Sequence, residues 1–252
     1  MPYLRVGSGE PLVLLHGLGE IKEGWTKQFE LANQFELIIP DLRGHGDNQT
    51  LESITIKNFA GDVLSLLDEL AIDTAHICGF SMGGAVAQEI YQQAPEKCHT
   101  LLLVSTFHYA PKFFSAIFQE YRKVESCFLT LRQQKILAAR RCLYSWNSRN
   151  IDEFIKSYKP NRKGYLDSIK ACLEIDNRLL LQNIKVPTLV IGSKYDTILP
   201  YKVQISMHKQ IPNSELVIIN ESGHLAKLEA ASKFNQTVRN FINNHPITVN
   251  SG

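Results

Sequence analysis

Ala75-His76-Ile77-Cys78-Gly79-Phe80-Ser81-Met82-Gly83-Gly84 decides how the rest of this 252-residue chain is read. Ala75 to Cys78 is a short apolar run and reads as a buried strand. It stops at Gly79-Phe80-Ser81-Met82-Gly83, a G-x-S-x-G motif. Behind it, Gly84 to Tyr91 reads as a helix with small residues facing the turn. Strand, motif, helix is the setting that holds a serine in a strained turn above a helix N-terminus. The flanking glycines let strand and helix approach without Cβ clashes. A glycine-rich strand-to-helix turn with an incidental serine would look the same. The rest of the chain must therefore supply the partners that a nucleophile needs.

The flanking chain alternates strands and helices. Residues 3–6, 11–15, 35–39 and 75–80 read as strands, and Leu101-Leu102-Leu103-Val104 as a further buried one. Residues 24–33, 54–70 and 83–94 read as helices. From 107 to 185 no buried strand is visible, and 113–126, 130–145, 151–158 and 164–181 carry helical periodicity. The alternation then resumes with a strand at 187–192, a helix at 200–210, a strand at 216–219 and a closing helix at 226–243. The expectation is an α/β fold with a mostly parallel sheet flanked by helices. Residues 1–106 and 186–244 would form its core, 107–185 an inserted helical cap over the strand ends, and 245–252 a tail.

Bulk properties bound the function. With 44% hydrophobic and 21% charged residues the composition is that of a soluble globular protein. No run approaches the roughly 18 apolar residues of a membrane span. The first residues lack the pattern of a secretory signal. Cys78, Cys98, Cys127, Cys142 and Cys172 are odd in number and widely spaced, so neither a disulfide framework nor a zinc site is indicated. A reduced, cytoplasmic protein is the expectation.

A nucleophilic serine needs a base, a group to orient that base, and donors for an oxyanion. Each has a candidate just beyond a strand, at the sheet edge where ligands bind in open α/β folds. His224, in Glu221-Ser222-Gly223-His224, is the base candidate. Asp196, in Gly192-Ser193-Lys194-Tyr195-Asp196, is the orienter. It also suits an N-cap for the helix after Pro200. The backbone N–H groups of Leu18 and Met82 are the oxyanion donors. Leu18 lies in His16-Gly17-Leu18-Gly19, which has neither glycine spacing of a phosphate-binding loop. The chain order is Ser81, Asp196, His224.

These pieces, with Pro40-Asp41-Leu42-Arg43-Gly44-His45-Gly46, resemble the α/β-hydrolase superfamily over essentially the whole chain. The closer likeness is to its capped serine esterase branch. The resemblance implies Ser81 as nucleophile, His224 as base, Asp196 as its partner, the Leu18 and Met82 amides as oxyanion hole, and no cofactor or metal. His45 reads as structural. Serine at 81 sets the chain apart from haloalkane dehalogenases, which carry aspartate there. Seven strands are recognisable where the superfamily's sheet usually has eight.

Charge is uneven. Residues 107–185 hold 15 Lys and Arg against 7 Asp and Glu, a net of +8, and the remainder is −6. The pimeloyl-acyl-carrier-protein methyl ester esterases of biotin synthesis are similar in having a helical cap with basic residues. That resemblance implies an acidic acyl carrier protein at the cap, near Arg140 and Arg141. Phe113, Phe118, Leu143 and Trp146 would line an acyl channel, unless they only pack the cap helices together. A small-molecule or carrier-linked ester is thus the expected substrate, with no nucleic acid partner. C–C bond hydrolysis of an aromatic ring-cleavage product and a hydrolase-fold ligand receptor are the alternatives.

Overall fold

In a computed structural model of the protein, residues 1–247 are described, save the side chains of 112–116, 118 and 126. Seven strands form one sheet: β1 (Tyr3–Val6), β2 (Glu10–Leu15), β3 (Phe35–Pro40), β4 (Ala75–Phe80), β5 (Cys98–Val104), β6 (Thr188–Ser193) and β7 (Ser214–Ile219). Their spatial order is β1-β3-β2-β4-β5-β6-β7. Only the short edge strand β1 runs antiparallel, pairing Tyr3 with Pro40. β4 is the middle strand and is buried along its whole length. Its continuous apolar run reflects this, because a strand covered on both faces has no solvent side to alternate with.

Helices cover both faces. On one, α1 (Ile56–Glu69) and α2 (Met82–Gln93) bury Phe59, Val63, Val86 and Ile90 against Val13, Ile77 and Leu103. Met207 of α8 (Tyr201–Gln210) joins that layer. On the other face, Trp25 and Leu31 pack with Phe234, Val238 and Phe241 over Leu12, Leu37 and Leu102. Thr55 starts α1 by accepting the Asn58 N–H.

Three details depart from the sequence reading. The helix expected at 24–33 is a 3-10 segment spanning Lys22–Asn33. No side chain caps it. The Lys22 N–H is instead held by Asp41 Oδ1 at 2.8 Å, so a tertiary bond sets its first turn. The closing helix is broken at Ala230 (φ −125°, ψ 43°) into α9 (Ala226–Glu229) and α10 (Ala231–Asn243). Residues 245–247 pack onto the core rather than trailing from it. His99 Nε2 lies 3.1 Å from His245 O, and the Ile247 N–H donates to Glu10 Oε1. Positions 248–252 lie outside the described residues.

Between β5 and β6 come α3 (Lys112–Phe128), α4 (Leu131–Cys142), α5 (Ser148–Ser157), α6 (Arg162–Leu173) and the single turn α7 (Arg178–Leu181). Thr130 and Gln133 form a reciprocal capping box on α4. Asn147 and Asn161 cap α5 and α6. No helix among the described residues is long and apolar enough to cross a membrane.

Candidate active site

Ser81 sits between β4 and α2 with φ +53° and ψ −116°, a region that side-chain-bearing residues rarely adopt. The surroundings hold it there. Its N–H donates to Val104 O at 2.9 Å, and Thr106 Oγ1 donates to its carbonyl at 2.6 Å. A Cβ on Gly79 would fall 2.1 Å from Gly83 O, and one on Gly83 would fall 2.3 Å from Leu15 O. The turn closes only with hydrogen at both positions, because the nearest atoms are backbone and cannot yield.

His224 and Asp196 arrive on the loops after β7 and β6. His224 Nε2 lies 3.0 Å from Ser81 Oγ, and His224 Nδ1 lies 2.7 Å from Asp196 Oδ2. The carboxylate accepts only, so Nδ1 carries the proton and Nε2 presents its lone pair to the serine. Asp196 Oδ1 accepts the N–H groups of Ile198 and Leu199, both at 2.8 Å. Its second oxygen therefore fixes its own loop. Helix α8 begins later, after Pro200, so Asp196 does not cap it.

Leu18 and Met82 flank the serine, and neither N–H has an acceptor among the described residues. His16 anchors the loop carrying Leu18. Its Nε2 accepts the Leu42 N–H at 3.1 Å, so its Nδ1 donates to Gly17 O at 2.9 Å. Burial depresses its pKa to about 4, which keeps the ring neutral as this pairing requires. His45 packs beside it with ring centroids 5.0 Å apart, and burial takes its pKa to about 3. The neutral pair supports the loop that carries Leu18.

Sequence reasoning missed a buried ion pair behind the same loop. Glu20 Oε2 accepts the Gly17 N–H at 3.0 Å, while Oε1 lies 3.0 Å from Lys227 Nζ. The ammonium also donates to Gly24 O and lies over the rings of Trp25 and Phe80. The only sequence signal was a charged side chain within each of two apolar neighbourhoods.

A family model described as "alpha/beta hydrolase fold" matches residues 10–231. The chain belongs to the α/β-hydrolase family. The 3-oxoadipate enol-lactonase 1 of Acinetobacter baylyi is 28% identical, with 92% of this chain and 88% of that protein covered. The pimeloyl-[acyl-carrier protein] methyl ester esterase of Vibrio campbellii is 26% identical, with 93% and 95% covered. Among solved structures, a thermophilic esterase from Thermogutta terrifontis superposes with a TM-score of 0.87 at 25% identity, covering 97% of this chain and 94% of that one. This α/β hydrolase thus has seven described strands rather than eight.

As in any open α/β sheet, the hydrolase cavity lies beyond the strand ends. It encloses about 290 Å³. Leu18, Phe80, Ser81 and His224 line it on the core side, and Tyr121, Arg122, Ala138, Arg141 and Phe154 on the side of the inserted helices. Cys142 also lines it, but burial pushes its thiol up to about 12, which excludes a resident thiolate.

Of the side chains expected near the substrate, Arg141 reaches this cavity. Three others do not. Leu143 is buried within the hydrophobic core. Trp146 is 60% exposed, with Arg140 over its ring and its Nε1–H on Leu143 O. Arg140 and Arg141 are consecutive on a helix and so diverge by about 100° around its axis; only one can face inward. Phe113 and Phe118 lie outside the described side chains. Among the described residues no group of three His, Cys, Asp or Glu is placed to hold a metal ion.

Proposed function

We propose that this α/β hydrolase cleaves carboxylic esters, cyclic esters included, through an acyl-enzyme on Ser81. The observation that carries the reading is the unbroken hydrogen-bonded chain from Ser81 Oγ through His224 to Asp196 Oδ2. In the proposed reaction His224 Nε2 takes the Ser81 proton as Oγ attacks the carbonyl carbon. The Leu18 and Met82 N–H groups receive the developing oxyanion, and Asp196 stabilises the imidazolium. The imidazolium then protonates the leaving oxygen. Water, activated by the same nitrogen, returns the free enzyme and releases the acid. Residues 107–185 act as the cap that encloses this chemistry.

Fluorophosphonate labelling and turnover of p-nitrophenyl esters test the reading. Wild-type protein should label and turn over, and Ser81→Ala should do neither. Turnover retained by Ser81→Ala would refute it.

A narrower reading is hydrolysis of a methyl ester on a carrier-linked acyl chain. It draws on the name of the Vibrio relative and on the exposed Arg132, Arg149, Lys156, Lys159 and Arg162, which would attract an acidic carrier. A carrier-linked pimeloyl methyl ester run beside short aryl esters tests it, and turnover of the aryl esters alone removes it. A vinylogous diketone in the same panel reports any C–C bond hydrolysis.

A further inference from the structure

Arg122 and Arg141 bring two guanidinium groups to one cavity, and the structure supplies them with one carboxylate. Arg141 Nη1 lies 3.0 Å from Glu125 Oε1 and 3.1 Å from Oε2, and Arg122 Nη1 bonds the same carboxylate. Arg122 and Glu125 are largely withdrawn from water and Arg141 partly so: Arg122 is 11% exposed, Glu125 7% and Arg141 27%. The acidic side chain that lines the cavity, Glu20, is already matched by Lys227. The side of the cavity formed by the inserted helices therefore carries one positive charge in excess.

Such a charge is costly to bury without an anion opposite it. The donor inventory points the same way. Arg122 Nη2 and Arg141 Nη2 are spent on the hydroxyls of Tyr165 and Tyr121. Arg122 Nε is buried and has no hydrogen-bond partner. A guanidinium offers five N–H groups, and this one still has a donor unspent. Burial works against its charge, but Tyr165, Tyr158 and Glu125 more than offset this, and the pKa of Arg122 is raised.

We propose that the cavity selects small esters or lactones whose acyl portion also bears a free carboxylate, which Arg122 and Arg141 receive while Ser81 attacks the ester carbonyl. The proposal rests on the serine-hydrolase reading of the same site. One excess positive charge suits a carboxylate monoanion better than a dianionic phosphate. Planar guanidinium groups suit its two oxygens. A volume of about 290 Å³ lies at the lower end of the range for small-molecule sites and favours a short diacid.

The test compares two aryl esters of equal length, the mono-p-nitrophenyl ester of glutaric acid and p-nitrophenyl pentanoate. Wild-type kcat/KM should favour the acid by about tenfold or more, mainly through KM. In Arg122→Met and Arg141→Met the acid-to-neutral ratio should fall towards or below one. Arg122→Lys, which keeps the charge but not the fork, should retain an intermediate ratio. Because both esters are read on the same preparation, a general loss of activity cancels. A wild-type ratio at or below one, with Ser81 still labelled by a fluorophosphonate, overturns the carboxylate proposal and leaves the hydrolase reading standing. An unchanged ratio in both methionine variants overturns it too. Absence of labelling and of turnover with either ester overturns both.

Discussion

Lys227 Nζ lies 3.0 Å from Glu20 Oε1, although 207 positions separate the two residues in sequence. Both side chains are almost fully buried, and the other Glu20 oxygen holds the Gly17 N–H. Removing one partner strands a charge in the core. Glu20→Gln or Lys227→Met should each cost about 3–5 kcal/mol, whereas the double variant should recover much of that loss. Urea denaturation of the four proteins gives the coupling energy. A coupling below about 1 kcal/mol would contradict this account.

Asp196→Asn should leave the fold intact while disabling the site. The asparagine carbonyl can still accept the Ile198 and Leu199 N–H groups that Asp196 Oδ1 now accepts. Its NH2, however, would face His224 Nδ1 and demand a lone pair there. The ring would then turn a proton, rather than an acceptor, towards Ser81. We expect kcat to drop about 10³–10⁴-fold with little change in Tm. A loss of less than tenfold would show that His224 does not need this partner.

Two glycine-to-alanine substitutions should move stability in opposite directions. At Gly83 the new methyl would lie 2.3 Å from Leu15 O and 2.8 Å from His16 O, with no side chain free to yield. Gly83→Ala should cost about 3 kcal/mol or more, or prevent folding. At Gly61, inside α1, the nearest atom is Gln93 Oε1 at 3.9 Å. Gly61→Ala should stabilise by about 0.5–1 kcal/mol, through a smaller loss of backbone entropy. Circular dichroism melts of both variants decide this.

Stability should also fall in mild acid. His16 and His45 have folded pKa values of about 4 and about 3, held down by burial, against 6.5 for an exposed ring. Between about pH 6.5 and 4 the unfolded chain therefore binds close to two more protons at these rings than the folded chain does. Unfolding free energy should drop as pH falls through that window and change less below it. His45→Gln should reduce the slope by about one proton. Chemical denaturation at a series of pH values measures it.

The placement of Ser81, Asp196 and His224 was legible because each lies on the segment that follows its own strand, where local apolar runs give the placement away. Gly79 and Gly83 likewise carry their meaning in their spacing around Ser81. The electrostatics of the site were not legible. Glu20 and Lys227 pair only through the third dimension, and each alone looks like a solvated charge. Arg122 lies on an amphipathic helix whose phase relative to the cavity depends on how α3 packs. Arg140 and Arg141 could not be told apart for the same reason: a dense basic stretch does not say which face of α4 turns inward. The break at Ala230 was hidden because helical periodicity continues across it, while the obligations of Glu229 come from other loops.

Those obligations bear on how this enzyme can be altered. The Cys142 carbonyl at the end of α4 accepts the His224 N–H at 2.7 Å, and the Arg141 carbonyl accepts Thr197 Oγ1–H at 2.7 Å. Glu229 gathers the N–H groups of Gly223, Tyr144 and Ser145. The C-terminal carbonyls that any helix leaves unspent thus clasp the loops of both His224 and Asp196. Residues 107–185 are therefore a poor candidate for transplantation. A chimera that exchanges this block for a relative's would inherit a foreign grip on His224. Directed evolution of substrate range should instead vary the inward side chains and keep the α4 terminus as it is.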